Sequence, residues 1–467
     1  MKDIDFTIPV LGDRTIKSPV GLSKEKGDYL ANYVQENQHI LYDIETTGKS
    51  PDHDFNSNEM LEKAGPREKI FFDPSKVHAA IVTCGGLCPG LNNVIRAIVM
   101  SLWYHYGVRR ISGIRYGYRG FLAEYSSPAV ELTPKDVSDI HRRGGTILGS
   151  SRGYGDRTED IVNSLERMKV NMLFTIGGDG TQKGALDISR EITKRGLKVA
   201  VVGIPKTIDN DLSFVEKSFG FETAVSKAID AVTSAHVEAE DGYNGLGIVK
   251  VMGRESGFIA AHTTLASNDA NYVLIPEVPF DLYGQNGLLS HLEKRLERRH
   301  HALIVVAEGA GQNLLEHSDI RDASGNKKLT DIGIFLKEKI SAHFKEKQIE
   351  LNLKYIDPSY IIRSAPANPN DSIYCARLGT NAVHAAMVGR TEMLISFIHS
   401  IFVHVPISLA VAKKNRINPD NSLWRDVIAV TGQPRLMKNP KGIDKAQNQG
   451  CSPTGEKTEA EIISQNP

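Results

Sequence analysis

Val199-Ala200-Val201-Val202-Gly203-Ile204 runs directly into Pro205-Lys206-Thr207-Ile208-Asp209-Asn210-Asp211. The first six residues are apolar and rich in β-branched side chains, as a strand buried on both faces requires. Pro205 ends the run. The carboxylates of Asp209 and Asp211 therefore fall in a loop at the strand's carboxyl end, where open α/β sheets bind ligands. Two residues apart in an extended segment, they point the same way. One can then take a proton while the other holds a metal ion or fixes its partner. An Asp-x-Asp alone is more often a solvated turn, so its surroundings decide.

Ile176-Gly177-Gly178-Asp179-Gly180-Thr181 follows the apolar run Asn171–Thr175 and precedes a helical pattern through Ala185, Ile188 and Ile192. Strand, Gly-rich turn and helix bring backbone N–H groups and a helix N-terminus onto phosphate. An Asp in such a turn can hold Mg²⁺ against phosphate oxygens. Thr83-Cys84-Gly85-Gly86-Leu87-Cys88-Pro89-Gly90-Leu91-Asn92-Asn93 repeats the arrangement after the strand-like His78–Val82, and opens a helix through Val94, Ile95, Ile98 and Leu102. Each turn by itself could be a tight βα connection. Two of them beside a paired-carboxylate loop point to a nucleotide phosphate, a metal ion and a general base in one crevice, which is phosphoryl transfer.

Neither common kinase signature is present. Thr46-Thr47-Gly48-Lys49-Ser50 has Asp43 where a Walker A motif needs its leading glycine, and no apolar strand precedes it. The protein-kinase Gly-rich loop and its partners are also missing.

The chain has 467 residues, enough for two or three domains, and its 56 basic residues balance 56 acidic ones. No long-range field favours nucleic acid or an anionic membrane, so an anion site must rely on local cations. Arg295, Arg298 and Arg299 alternate with Glu293 and Glu297, which reads as a solvated helix face. Cys84, Cys88, Cys375 and Cys451 are too few for a disulfide framework and lack companions for a zinc site. No segment has the apolar length of a membrane helix, the N-terminus lacks a signal-peptide core, and the C-terminus lacks a peroxisomal-type address. The expected location is the cytoplasm, with reduced thiols.

Residues 1–77 are mostly polar and aperiodic, and read as an extension that wraps the surface or mediates assembly. From 78 onward strand-like runs at 111–115, 172–176, 199–204, 246–251, 272–275 and 303–307 alternate with amphipathic stretches such as Val225, Ala228, Ile229, Val232 and Ala235. This is an α/β pattern, with mostly parallel sheets and helices on both faces. Residues 413–467 turn polar again, with Pro419, Pro434, Pro440 and Pro453, and read as a tail.

With Gly-Gly-Leu-Cys-Pro-Gly-Leu-Asn at 85–92, Gly-Gly-Thr-Ile-Leu-Gly-Ser-Ser-Arg at 144–152, Gly-Gly-Asp-Gly-Thr at 177–181, Pro-Lys-Thr-Ile-Asp-Asn-Asp at 205–211 and Met-Gly-Arg at 252–254, residues 78–412 closely resemble the phosphofructokinase family. The likeness is strongest to its long-chain ATP-dependent branch of plants and trypanosomes. The resemblance implies two Rossmann-like lobes with the active site between them, in a homotetramer or homodimer. It also implies transfer of a phosphoryl group from ATP, with Mg²⁺, to the 1-hydroxyl of fructose 6-phosphate. On that pattern Asp209 is the general base, Thr207 orients the phosphoryl group, Asp211 positions the base or a metal-bound water, and Arg254 neutralises developing charge. Asp179 holds the metal. Gly86, Gly178, Gly180 and Thr181 line the nucleotide site, with Arg152 on its phosphates and Tyr118 near the adenine. Met252, Gly253, Glu308, Tyr360 and Arg363 fall on the sugar-phosphate side, with Glu308 accepting sugar hydroxyls and Arg363 pairing with the 6-phosphate.

Two departures bear on the phosphate. Tyr360 stands where short bacterial members carry a histidine, and Gly245 stands where they carry an arginine reaching across from a neighbouring subunit. Two positions bear on the donor. Gly180 leaves room for a nucleotide α-phosphate where pyrophosphate users usually carry Asp, whereas Lys206 is compatible with either donor, so ATP is expected. The alternatives are a pyrophosphate-dependent enzyme, a more distant NAD or lipid kinase sharing the Gly-Gly-Asp-Gly-Thr turn, and a non-catalytic regulatory subunit.

Overall fold

The computed structural model describes residues 4–45, 59–125, 127–315 and 329–440. The stretch Ala200–Pro205 is a strand with all six residues buried. It lies near the middle of a seven-stranded sheet whose spatial order is Ile401–Pro406, Met393–Ile398, Ala200–Pro205, Met172–Gly177, His78–Thr83, Arg110–Ile114 and Val130–Glu131. The five central strands are parallel, and an antiparallel strand closes each side.

The side chains show why the central strands read as unbroken apolar runs. Ile81, Phe174 and Val202 pack on one face with Leu91, Ile95 and Leu378. Their neighbours Val82, Leu173 and Val201 pack on the other with Ile161, Ala185 and Ile188. Helices Leu91–Met100 and Pro369–Met387 cover the first face, and Thr158–Met168 and Asp179–Lys194 the second. Successive side chains alternate faces, so a strand covered on both sides has no polar positions to alternate with.

After Pro205 the chain enters helix Phe221–Asp241 and builds a second, four-stranded parallel sheet in the order Tyr272–Leu274, His301–Ala307, Gly245–Val251 and Asn352–Ile356. It too is covered on both faces, Val249 and Val305 facing one cluster and Ile248 and Ile304 the other. The chain then returns through Pro369–Met387 to the first lobe. The α/β architecture of mostly parallel sheets with helices on both faces, expected from the sequence, is what the chain forms. Glu297, Arg298 and Arg299 are exposed at the end of helix Leu288–Arg299, while Leu288, Leu292 and Leu296 are buried.

The described parts of both flanking segments are more integrated than their polarity suggests. In the first segment, Phe6, Ile8, Leu61 and Ile70 are buried against the first lobe. Strand Met60–Glu62 pairs with His39–Leu41, and the chain after it bridges Lys63 to Val403 and donates Ala64 N–H to Phe402 O at 2.8 Å. Buried Arg67 holds Glu62 at 2.9 Å, and Arg390 reaches the same carboxylate at 3.0 Å. At the other end, residues 413–440 do not hang free as a tail. Leu212 bridges Lys414, and helix Ser422–Thr431 buries Trp424 and Val427 against the second lobe. Leu423, Trp424, Val427 and Ile428 have helical spacing, a signal that the surrounding polar residues and prolines obscured. Thr46–Ser50 and Cys451 lie outside the described residues. Among those described, no helix is long and apolar enough to cross a membrane.

Candidate active site

A cleft of about 1070 Å³ opens where the carboxyl ends of both sheets meet. Gly86, Tyr118, Arg152, Gly178, Asp179, Gly180, Thr181, Lys206, Thr207, Asp209 and Asp211 line it from the first lobe. Arg254, Glu308 and Arg363 line it from the second.

The nucleotide-like side is built from backbone. Strands Met172–Gly177 and Ala200–Pro205 are locked together at their ends by buried Gln182, whose amide donates to Gly177 O at 3.0 Å and Ile204 O at 3.2 Å. Helix Asp179–Lys194 starts at Gly178 with no side chain capping it, which leaves first-turn N–H groups for an anion. A Cβ placed on Gly180 would meet no protein atom within 4 Å, so packing does not demand a glycine there. Lys206 is buried, and its ammonium donates to Gly86 O at 2.9 Å, tying the first Gly-rich turn to the loop. Burial pulls the Lys206 pKa down. Tyr118 lies beneath the site. It is buried, and its hydroxyl donates to Thr181 O at 2.7 Å, which braces the Gly-Gly-Asp-Gly-Thr turn.

The catalytic-loop side is built from side chains. The segment is turned rather than extended, since Asn210 sits at φ 56°, in the left-handed region. Asn210 holds that shape by accepting from Ser218 N at 2.8 Å and donating to Glu216 O at 2.8 Å. Ser218 Oγ also donates to Thr207 O, and Ser256 Oγ to Asp209 O at 3.0 Å. Thr207 Oγ1 donates to one oxygen of Asp211, and Lys414 Nζ to the other at 2.7 Å. The Asp209 carboxylate accepts only the Arg254 N–H, at 3.2 Å, among the bonds described. Burial, with the neighbouring Asp211 and Glu308 carboxylates, pushes Asp209 up to about 7. A carboxylate so placed can exchange a proton near neutrality.

The second lobe supplies its groups from two strand ends zipped together. Glu308 N donates to Val251 O at 2.9 Å and Gly309 N to Gly253 O at 3.0 Å. Gly253 has φ 131°, and a Cβ on it would run into Ser256 O. Arg363 projects from the short helix Ser359–Ser364.

Three expected residues stand apart from the cleft lining. Met252 is fully buried in the second lobe's core. Gly253 contributes backbone shape rather than a wall. Tyr360 is 82% exposed, on the outward side of its helix. Gly245 is buried at the start of its strand. Cys84 and Cys88 are buried, which pushes both thiols up to about 12, so neither is a ready thiolate. The sequence reading missed Lys414 and Gln182. Lys414 belongs to a Lys-Lys-Asn-Arg run that reads as solvated surface, and Gln182 looks like any helix residue.

Asp179 fits a magnesium ion brought in on phosphate oxygens. It stands at the uncapped helix start, its side chain 23% exposed and its described salt bridge to the surface Lys183 at 3.0 Å. Mg²⁺ commonly needs only one or two carboxylates beside substrate phosphates. No cluster of three or more His, Cys, Asp or Glu suited to a metal occurs among the described residues.

The family profile described as phosphofructokinase matches residues 78–386. The ATP-dependent 6-phosphofructokinase of Borreliella burgdorferi is 56% identical over 445 residues, which cover 94% of this chain and 99% of that one. ATP-dependent 6-phosphofructokinase 7 of Arabidopsis thaliana is 50% identical over 392 residues, 83% of this chain and 80% of its own. A solved pyrophosphate-dependent phosphofructokinase from Nitrosospira multiformis superposes with a TM-score of 0.63 over 76% of this chain and 91% of that one. At 20% identity, that likeness speaks to the fold alone.

Proposed function

The chain belongs to the phosphofructokinase family, and from that premise we propose that it transfers the γ-phosphoryl group of ATP to the 1-hydroxyl of fructose 6-phosphate. The products are ADP and fructose 1,6-bisphosphate. The observation that carries the reading is Asp209. It is a carboxylate raised to about 7 by burial and by the charges of Asp211 and Glu308, and it lines one cleft with two phosphate-type turns.

The sugar enters from the second lobe, where Glu308 accepts its hydroxyls and Arg363 pairs with its 6-phosphate. Its 1-hydroxyl then lies against Asp209, which takes the proton as the oxygen attacks phosphorus in line with the departing ADP oxygen. Arg254, one residue from the Gly253 bend, spreads its guanidinium over the charge developing on the equatorial oxygens. Lys206 adds positive charge from below, and Thr207 orients the group in transit. Asp179 would hold Mg²⁺ on this side of the cleft, where the ion would supply charge neutralisation to the donor. The open space over Gly180 supports ATP as the donor, because an adenylate can lie across it. Assembly as a homodimer or homotetramer and a cytoplasmic location belong to the same reading.

The test supplies fructose 6-phosphate and Mg²⁺ with ATP or pyrophosphate in parallel, and measures fructose 1,6-bisphosphate. Turnover with ATP is the expected result. Turnover with pyrophosphate alone would overturn the donor assignment, and turnover with neither would favour a regulatory subunit.

A further inference from the structure

Lys414 reaches the cleft from the segment that sequence pattern assigns to a tail, and its approach is fixed at several points. Lys414 pairs with Leu212 in an antiparallel bridge. Asn415 N donates to Asp211 O at 2.8 Å, and Ser213 Oγ to Lys413 O at 2.9 Å. The side chain therefore leaves a backbone already stitched to the catalytic loop. Its ammonium lies 2.7 Å from Asp211 Oδ2, with the Asp211 side chain 10% exposed. Thr207 occupies the other oxygen of that carboxylate.

Beyond Lys414 the strap is anchored to the second lobe. Arg416 pairs with Glu255 at 2.9 Å, and Ile417 N donates to Glu277 at 2.8 Å. The same Glu277 oxygen accepts Gly257 N at 3.0 Å, just past Arg254. The strap thus registers the loop carrying Asp209 against the segment carrying Arg254. Burial opposes the charge on Lys414, but Asp211, Asp179 and Glu255 outweigh it and hold the ammonium above the ordinary lysine range.

We propose that Lys414 is a positioning residue for the phosphoryl transfer, aiming Asp211 and, through Asp211 and Thr207, holding the loop that presents Asp209. A buried carboxylate stripped of one of its two partners would turn toward another donor. Thr207 would follow it, and the base would lose its alignment with the sugar hydroxyl. The proposal rests on the kinase reading above.

The experiment measures kcat and KM with ATP and fructose 6-phosphate for the full chain and for Lys414→Met, Lys414→Arg, Asp211→Asn and the double variant Asp211→Asn/Lys414→Met. Absence of wild-type turnover defeats the kinase reading itself, whereas the variants judge Lys414 only once the wild type turns over. Loss of one charged hydrogen bond predicts a fall in kcat on the order of 10- to 100-fold for Lys414→Met. The KM for fructose 6-phosphate should stay within about threefold, the split expected when ground-state binding is intact. Lys414→Arg should recover most of the rate. Because Lys414 acts through Asp211, the double variant should be no slower than Asp211→Asn by more than about threefold. If Lys414→Met does not fold, Lys414→Gln takes its place in the same cycle. A kcat unchanged from wild type, a loss confined to KM, or losses that multiply in the double variant would each overturn the proposal.

Discussion

The turn Gly177–Thr181 and the loop Lys206–Asp211 end neighbouring parallel strands, yet they are built in opposite ways. The turn offers backbone and vacant space: an uncapped helix start, an exposed Gly180 whose added Cβ would meet nothing, and a carboxylate whose described salt bridge is to a surface lysine. The loop is crowded with buried and half-buried groups whose bonds reach Glu216, Ser218, Ser256 and Lys414. Binding a diffuse polyanion needs donors and room, which glycine supplies by omission. Proton abstraction needs one oxygen held in one place with a tuned pKa, and only a dense set of neighbours can do that.

The contrast can be broken at either end. Asp209→Asn should cost the most, lowering kcat by about 10²–10⁴-fold, the usual contribution of a general base. Nucleotide affinity, measured by equilibrium binding, should hardly change, because the turn is built independently of the base. Comparable losses in both would erase the division of labour.

Gly180→Asp attacks the other end. The variant should fold with an unaltered melting temperature, since its Cβ meets nothing. Its kcat/KM with ATP should fall about 100-fold from a like charge facing phosphate. A variant that melts early would mean the glycine serves the fold after all.

The smallest effect is a pH dependence. With Asp209 at about 7, kcat/KM for the wild type should be level above that pH and decline below it, approaching tenfold per pH unit, as the base takes up its proton. The sign reverses for stability. Between the ordinary carboxylate range and pH 7 the folded chain keeps a proton that the unfolded chain has released, so stability declines as pH rises through that window. Asp209→Asn should flatten that slope in denaturant titrations run at pH 5 and pH 8. An acid limb in kcat/KM near pH 4 would show that the crowding around Asp209 does not tune it.

Much of this was legible in the sequence, for a physical reason. Strands covered on both faces, such as Met172–Gly177 and His301–Ala307, leave continuous apolar runs, and phosphate-type turns leave glycines at fixed offsets. What escaped has mixed signals. Asn352–Ile356 is an edge strand with polar alternation, and the hairpin Met393–Pro406 lies beyond the runs that periodicity marked. The turned shape at Asn210 depends on Ser218, and no local pattern announces a residue eight positions away as a partner. Lys414 depends on a contact spanning some two hundred residues. Long-range placement of a charged residue leaves no periodicity behind.

The cover over strand Ile401–Pro406 has a consequence for self-association. That strand is the outermost of the seven, and Lys63 and Ala64 occupy part of its open hydrogen-bonding side. Ile-Phe-Val-His-Val-Pro combines high β propensity with an almost complete lack of charge, the composition that recruits other chains when left bare. The N-terminal segment therefore acts as a lid on a sticky edge, so a chain clipped within it would be prone to templated pairing while its catalytic cleft remained complete.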